Sequence, residues 1–173
     1  MALEIFDEKN KLKDIAYKML LAARTAPKGR GEDNTVLALA EGDDIRTISE
    51  KMVEIGKKYN HHAFIRDAEN ILESPVIVLL GTKIKSLNLK KCGRCGFNDC
   101  SEKNKNPEIP CAFNTGDLGI AIGSAVSIAM DNRIDNRIMY TVGEAVMELG
   151  ILGSDVKCVY GIPLSATSKN VFF

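Results

Sequence analysis

Four of the chain's five cysteines, Cys92, Cys95, Cys100 and Cys111, fall in the segment KKCGRCGFNDCSEKNKNPEIPC with the spacing C-x2-C-x4-C-x10-C. Thiolates are soft donors, and four of them around a compact centre suit either tetrahedral zinc or an iron–sulfur cluster. Gly93 and Gly96 permit a turn whose amides can point at sulfur and stabilise its negative charge. The spacing by itself discriminates weakly. Structural zinc sites usually pair two short knuckles, which the x4 and x10 gaps do not provide, and the x4 gap also departs from the common bacterial ferredoxin run. Disulfides, or no ligand at all, are the remaining readings.

The other reactive side chains are less eloquent. Cys158 sits in the alternating run VKCVYG, where Val156, Cys158 and Tyr160 share one face and a cysteine serves as a small core hydrophobe. His61 and His62 lie at a helix boundary with no cysteine or carboxylate motif beside them, which suits capping or solvation rather than ligation. A thiol-dependent enzyme built on Cys92 and Cys95 is the weaker alternative, because the pair does not open a helix after a strand. The N-terminal MALEIFDEKNKLKD lacks the basic start and apolar block of a secretory signal. A cytoplasmic location is therefore expected, where thiols stay reduced and clustered cysteines read as ligands before disulfides.

Positioning these thiols is the work of an ordinary globular chain. Its 173 residues are 45% hydrophobic and 27% charged, enough for one buried core and one domain, 1–173. Lysines and arginines balance the acids at 23 each, so no field exists to attract nucleic acid or an anionic membrane. Residues 8–24 place Leu12, Ile15, Ala16, Met19, Leu20 and Ala23 on one helical face, and APKGRG ends that helix. TVLALA reads as a strand, Asp43 as the cap of a helix running to Tyr59, and 63–73 as a short helix. VIVLLG after Pro75 reads as a strand buried on both faces. Beyond the cysteine segment come an apolar helix 117–131, a strand RIMYTV (137–142), a helix 143–149 and a strand VKCVYG (156–161). Helices alternating with apolar strands imply a sheet covered by helices, with the polar, aperiodic cysteine segment (88–113) inserted in it and expected to need a staple. The uncharged LGIAIGSAVSIAM is too short to span a bilayer. Gly119 and Gly123, and Ala121, Ala125 and Ala129, repeat every four residues. Such small residues admit another backbone, either that of the chain's own core or that of a second subunit.

Three stretches resemble known families. CGRCGFNDC with its later cysteine resembles the compact cluster domain of corrinoid iron–sulfur proteins and related redox proteins of anaerobes, whose motif is C-x2-C-G-x3-C plus a distant cysteine. That resemblance implies a 4Fe–4S cluster on Cys92, Cys95, Cys100 and Cys111. AARTAPKGRGEDN (22–34) resembles the helix-end segment of FMN-dependent nitroreductases through Ala22, Ala23, Arg24, Ala26, Pro27 and Asn34. GIPLSATSKNVFF resembles their closing turn through Gly161, Pro163 and Lys169, and the helix from Asp117 is similar to their central, dimer-forming helix. As a whole the chain resembles a family of ferredoxin-domain proteins with a nitroreductase-like fold.

The resemblance implies an α+β fold, a nitroreductase-like helix/sheet/helix sandwich with a cysteine-rich insertion. It also implies a homodimer, an FMN at the dimer interface, and redox exchange with a cluster or a small redox partner. A flavin phosphate needs fixed donors, which Arg24, Lys28, Arg30 and the Gly29–Gly31 amides offer, with Lys169 reaching the same anion and Asn34 reaching the ring or ribityl chain. Solvated loop charges are the plain alternative for these residues. Two features depart from the family. Residues 1–11 contain no arginine, and Lys28 stands where a Ser or Thr is usual. The competing account is a non-enzymatic module in which zinc or a cluster only pins the insertion and the flavin has been lost.

Overall fold

The apolar run after Pro75 becomes the strand on which the fold is organised. In the computed structural model, which describes Leu3 and residues 5–173, this strand, β2 (Val76–Lys83), is buried along all but its last residue. It pairs antiparallel with β1 (Thr35–Ala40) on one side and with β4 (Val156–Ser165) on the other. A two-residue strand, β3 (Asp135–Asn136), completes the sheet in the order β1-β2-β4-β3.

A strand apolar on both faces needs cover on both. On one face lie α1 (Glu8–Thr25) and α5 (Ala112–Asp131), packing Leu12, Ala16, Met19, Ala121 and Ala125 onto Val78, Leu80, Ile162 and Leu164. Alanines at 121, 125 and 129 let the two helices approach closely enough for the Ser124 hydroxyl to donate to the Ala22 carbonyl at 2.9 Å. On the other face lie α2 (Asp43–Lys58), α3 (His62–Leu72) and α6 (Tyr140–Leu149). They place Ile48, Met52, Phe64, Ile71 and Val142 over Ile77, Leu79 and Val159. A short helix, α4 (Cys100–Asn104), lies within the cysteine segment. The expected helix/sheet/helix sandwich is the observed architecture. Among the described residues, no helix is long and apolar enough to cross a membrane.

The structure differs from sequence expectation at three places. RIMYTV is not a strand: Met139 makes an isolated bridge to Gly161, and Tyr140 already begins α6. Ile138, Tyr140 and Val142 alternate as in a strand while Met139, Val142 and Val146 keep helical spacing, and tertiary contacts choose between them. The Thr141 hydroxyl donates to the buried Asp67 carboxylate at 2.8 Å, and Arg137 reaches the Phe172 carbonyl at 2.9 Å. In α2, Gly42 takes the N-cap and Asp43 the first helical position, where its charge still favours the helix dipole. In β4, a register shift opposite Thr82 and Lys83 turns Val156 toward α6, while Cys158 and Tyr160 face α1 and α5.

The sheet is closed off where α6 crosses β4. A Cβ added to Gly143 would run into the carbonyl of Val159, which is backbone and cannot rotate away. Gly143→Ala is therefore expected to cost about 3 kcal/mol or more, the upper range for overpacking. Urea unfolding followed by circular dichroism checks this, and a wild-type midpoint would mean that α6 can lift off the strand.

Candidate functional site

At the C-terminal end of β2 three segments meet: the loop 26–34 after α1, the chain leaving β2 at 84–88, and the start of α5. Asp117, 8% exposed, accepts from the Gly29 amide at 3.0 Å, and the Asn114 carbonyl oxygen accepts from the Lys85 amide at 2.8 Å. Arg30, in a left-handed conformation with φ 58°, donates from Nη1 to the Leu87 carbonyl at 2.8 Å. Such buried carboxylate–amide bonds are strong, and they fix the loop against the helix.

The five residues expected at a flavin do not form one cationic cluster. Lys28 is turned inward, its side chain 4% exposed, donating to the carbonyls of Ala23, Arg24 and Ala26 at 2.8, 2.7 and 2.8 Å. It neutralises the end of α1 instead of waiting for an anion. Arg24 pairs with Asp33. Burial pushes the Asp33 carboxyl upward, but hydrogen bonds from the Thr35 hydroxyl and amide and from Arg24 outweigh it and hold the group below its ordinary value. The stability this contributes is present at neutral pH and is lost as pH falls through that lowered value. Asn34 sits at the entry to β1, its carbonyl accepting from the Lys83 amide at 3.0 Å and its side-chain nitrogen buried without a partner. Lys169 is exposed, and it lies beyond the other end of the sheet. Thr35 pairs with Thr82, whereas Leu164 pairs with Val76, about 20 Å away along β2 at about 3.3 Å per residue. Within one chain, Lys169 and the 26–34 loop do not serve the same phosphate. Of the group, Asn34 keeps an unpartnered donor, Arg30 is spent on the Leu87 carbonyl, and Lys28 is spent on the end of α1.

Short-range hydrogen bonds shape the cysteine segment. Gly93 and Gly96, at φ 97° and 90°, make a turn closed by the Gly96 amide on the Gly93 carbonyl at 3.1 Å. Asp99 caps α4, accepting from the Glu102 amide at 2.8 Å, and Glu102 in turn accepts from the Asn98 amide and side chain, both at 2.8 Å. Cys92 precedes the first turn and Cys95 lies within it, Cys100 begins α4, and Cys111 is buried as the N-cap of α5. All four are free thiols. Among the described residues no three His, Cys, Asp or Glu side chains stand together as a metal site. The donor chemistry fits zinc or a cluster; the arrangement fits only if the segment closes around it. Cys158 lies in the sheet, half-buried, and burial followed by the nearby Glu144 charge pushes its thiol above the ordinary range.

Sequence reading missed Asn114, Asp117 and Ser86. Asn114 and Asp117 fall on the same helical face as Leu118 and Ala121, so extending that period one turn backward would have marked them as buried. Asp117 also borders a cavity of about 530 Å³ with Arg94, Phe113, Gly116 and Ile120, and the Arg94 guanidinium lies 5.9 Å from the Phe113 ring. This cavity separates the CxxC turn from the outer face of α5.

Known proteins match both the sequence and the shape. Residues 108–173 match the family described as "Uncharacterized protein containing a ferredoxin domain (DUF2148)". That stretch includes Cys111 but not Cys92, Cys95 or Cys100. An "Uncharacterized protein" of Archaeoglobus fulgidus is 41% identical over 100% of this chain and 97% of its own length. A BluB-like flavoprotein from Clostridium difficile 630 is 18% identical, with 98% of this chain and 87% of that one covered at a TM-score of 0.54. A nitroreductase with bound FMN from Bacteroides fragilis is 12% identical, with 95% and 80% covered at a TM-score of 0.61. The fold is nitroreductase-like.

Two measurements follow from this geometry. Lys28→Ala should lower stability by about 1–2 kcal/mol through the exposed end of α1, read from the urea midpoint; an unchanged midpoint would free Lys28 for a ligand. In metal-free protein briefly treated with iodoacetamide at neutral pH, Cys158 should be labelled more slowly than Cys92, Cys95 and Cys100. Peptide mass spectrometry decides, and preferential labelling of Cys158 would contradict its burial.

Proposed function

The chain belongs to one family with the Archaeoglobus fulgidus protein, and because its residues 108–173 match a ferredoxin-domain family we propose that it is a redox protein. In this reading Cys92, Cys95, Cys100 and Cys111 close around a 4Fe–4S cluster, and a homodimer binds FMN. The observation that carries it is the grouping of four unpaired thiols on a segment leaving the end of the sheet where the side-chain nitrogens of Asn34 and Asn114 lie buried and unpartnered. When bound, a flavin takes electrons in pairs and can pass them singly to a one-electron cluster.

The protein's own residues have defined tasks here. Asn34 offers a fixed donor to the ring or ribityl chain, and Arg30 keeps the loop against Leu87. Gly93 and Gly96 supply the left-handed turn that carries the CxxC pair, and Cys111 ties the segment to α5. Since Lys169 and the 26–34 loop lie at opposite ends of one sheet, a flavin touching both draws them from different subunits. The outer face of α5 supports that dimer. A Cβ on Gly116, Gly119 or Gly123 would meet nothing within 4 Å, and Ile120 and Met130 are 49% and 68% exposed beside Tyr17 and Leu21 of α1. Of the two readings of these small residues, packing of Gly119 and Gly123 on the chain's own sheet is not what the structure shows, which leaves the second subunit. The inward-turned Lys28 favours the second reading, a zinc- or cluster-pinned module that has lost its flavin.

Protein purified without oxygen should be brown, with about four iron and four sulfide per chain. Cys→Ser at 92, 95, 100 or 111 should abolish most of that iron, and Cys158→Ser should leave it unchanged. Calorimetry should show FMN binding to the wild-type dimer, and Gly123→Arg should yield a folded monomer by light scattering with FMN binding lost. Zinc in place of iron together with no FMN heat would establish the module reading. A wild-type monomer at micromolar concentration would remove the dimer.

A further inference from the structure

Lys103 is the anomaly of the cysteine segment. It lies on α4 with only 3% of its surface exposed, and among the described residues its ammonium makes no hydrogen bond and no ion pair. The side chain is packed along its length, and its ammonium is left to the adjoining cavity, as long cationic side chains leave their charged ends to water. It borders a cavity of about 280 Å³ between the exit of β2 and α4, walled also by Lys85, Ser86, Asn88 and Asn104. Ser86 is a second, separate anomaly: its hydroxyl is buried and has no partner.

The character of the wall identifies what would relieve both. No carboxylate lines the cavity, although the chain as a whole carries equal numbers of acids and bases. Lys85 at the rim already has a carboxylate partner, Glu32 Oε2, 3.4 Å from its ammonium. Asn104 donates its amide to Asn88 Oδ1 at 3.3 Å, which leaves the Asn88 amide nitrogen as a donor. The wall therefore offers the Lys103 ammonium, a hydroxyl and an amide, with the Glu32-paired Lys85 at its rim, a set that matches a compact anion rich in acceptor oxygens. The cavity is many times the roughly 30 Å³ share of one water, so such an anion can carry a substituent. None of the four clustered cysteines borders it, nor do Arg24, Lys28, Arg30, Asn34 or Lys169.

We propose that this cavity is a phosphate-binding site in which Lys103 and Ser86 hold the phosphoryl oxygens. The phosphate is either inorganic or the terminal group of a small phosphorylated molecule. The site stands independently of the redox reading, because it uses none of the residues assigned to the cluster or the flavin. Failure of either leaves the other intact, since iron content reads one and phosphate binding the other.

The test is calorimetric titration of inorganic phosphate into the full chain at constant ionic strength set with sodium chloride. Wild-type protein should bind one phosphate per chain saturably. Lys103→Met should weaken binding by about tenfold or more, as loss of a charged hydrogen bond does, and Ser86→Ala by several-fold. If Lys103→Met fails to fold, Ser86→Ala decides. A parallel arm titrates FMN and riboflavin with and without phosphate. Competition by phosphate against FMN but not riboflavin would assign the site to a flavin's own phosphate; independent binding would assign it to free phosphate or another phosphorylated molecule. No saturable phosphate binding in the wild type, or binding undiminished by both substitutions, overturns the proposal.

Discussion

The structure depends on one strand that cannot tolerate water on either side. From Val76 to Thr82 every residue of β2 is buried, so helices must cover both faces, and both flanks must pair to satisfy the backbone. That requirement sorts the chain into two separate apolar clusters, one under α1 and α5 and one under α2, α3 and α6. It also sorts the polar material. Polar loops gather at the ends of the strand, and the C-terminal end receives the 26–34 loop, the cysteine segment and the first turn of α5.

Much of this arrangement can be read from residue order, because burial leaves a periodic trace. Leu12, Ala16, Met19 and Ala23 recur at helical spacing and are fully or almost fully buried, and the uninterrupted VIVLLG marks the central strand. The trace fails where two periods fit the same residues. Arg137–Val142 alternates like a strand, yet Thr141 and Arg137 are claimed by Asp67 and Phe172, and the segment turns into α6. It fails again at the shift beside Thr82, which separates Val156 from the face of Cys158 and Tyr160.

Site chemistry is harder to read, since a side chain's type does not say which way it points. Lys28, Arg30 and Lys169 look equivalent as basic loop residues. One caps its own helix, one holds a carbonyl of the β2 exit, and one lies at the far end of the sheet. Conversely, Asn114 and Asp117 carry no motif, and only their phase with Leu118 and Ala121 sets them at the junction of three segments. The cysteines are the intermediate case: their grouping is plain in the sequence, whereas their closing around a ligand depends on a loop whose own hydrogen bonds run along the chain and not toward sulfur.

Neither apolar cluster contains a residue from 82 to 117. The segment bearing the thiols is thus an appendage to a body that coheres without it, unlike small metal-dependent domains whose folding free energy is the binding free energy. In a cell this separates inactivation from turnover. If the thiols hold the proposed ligand, a copy stripped of it by an oxidant would keep its helices seated and expose no new apolar surface from the core. Chaperones and proteases, which recognise unfolded chain, would have little to act on. Such a molecule would persist as a folded, empty precursor, available for refilling instead of replacement by new synthesis.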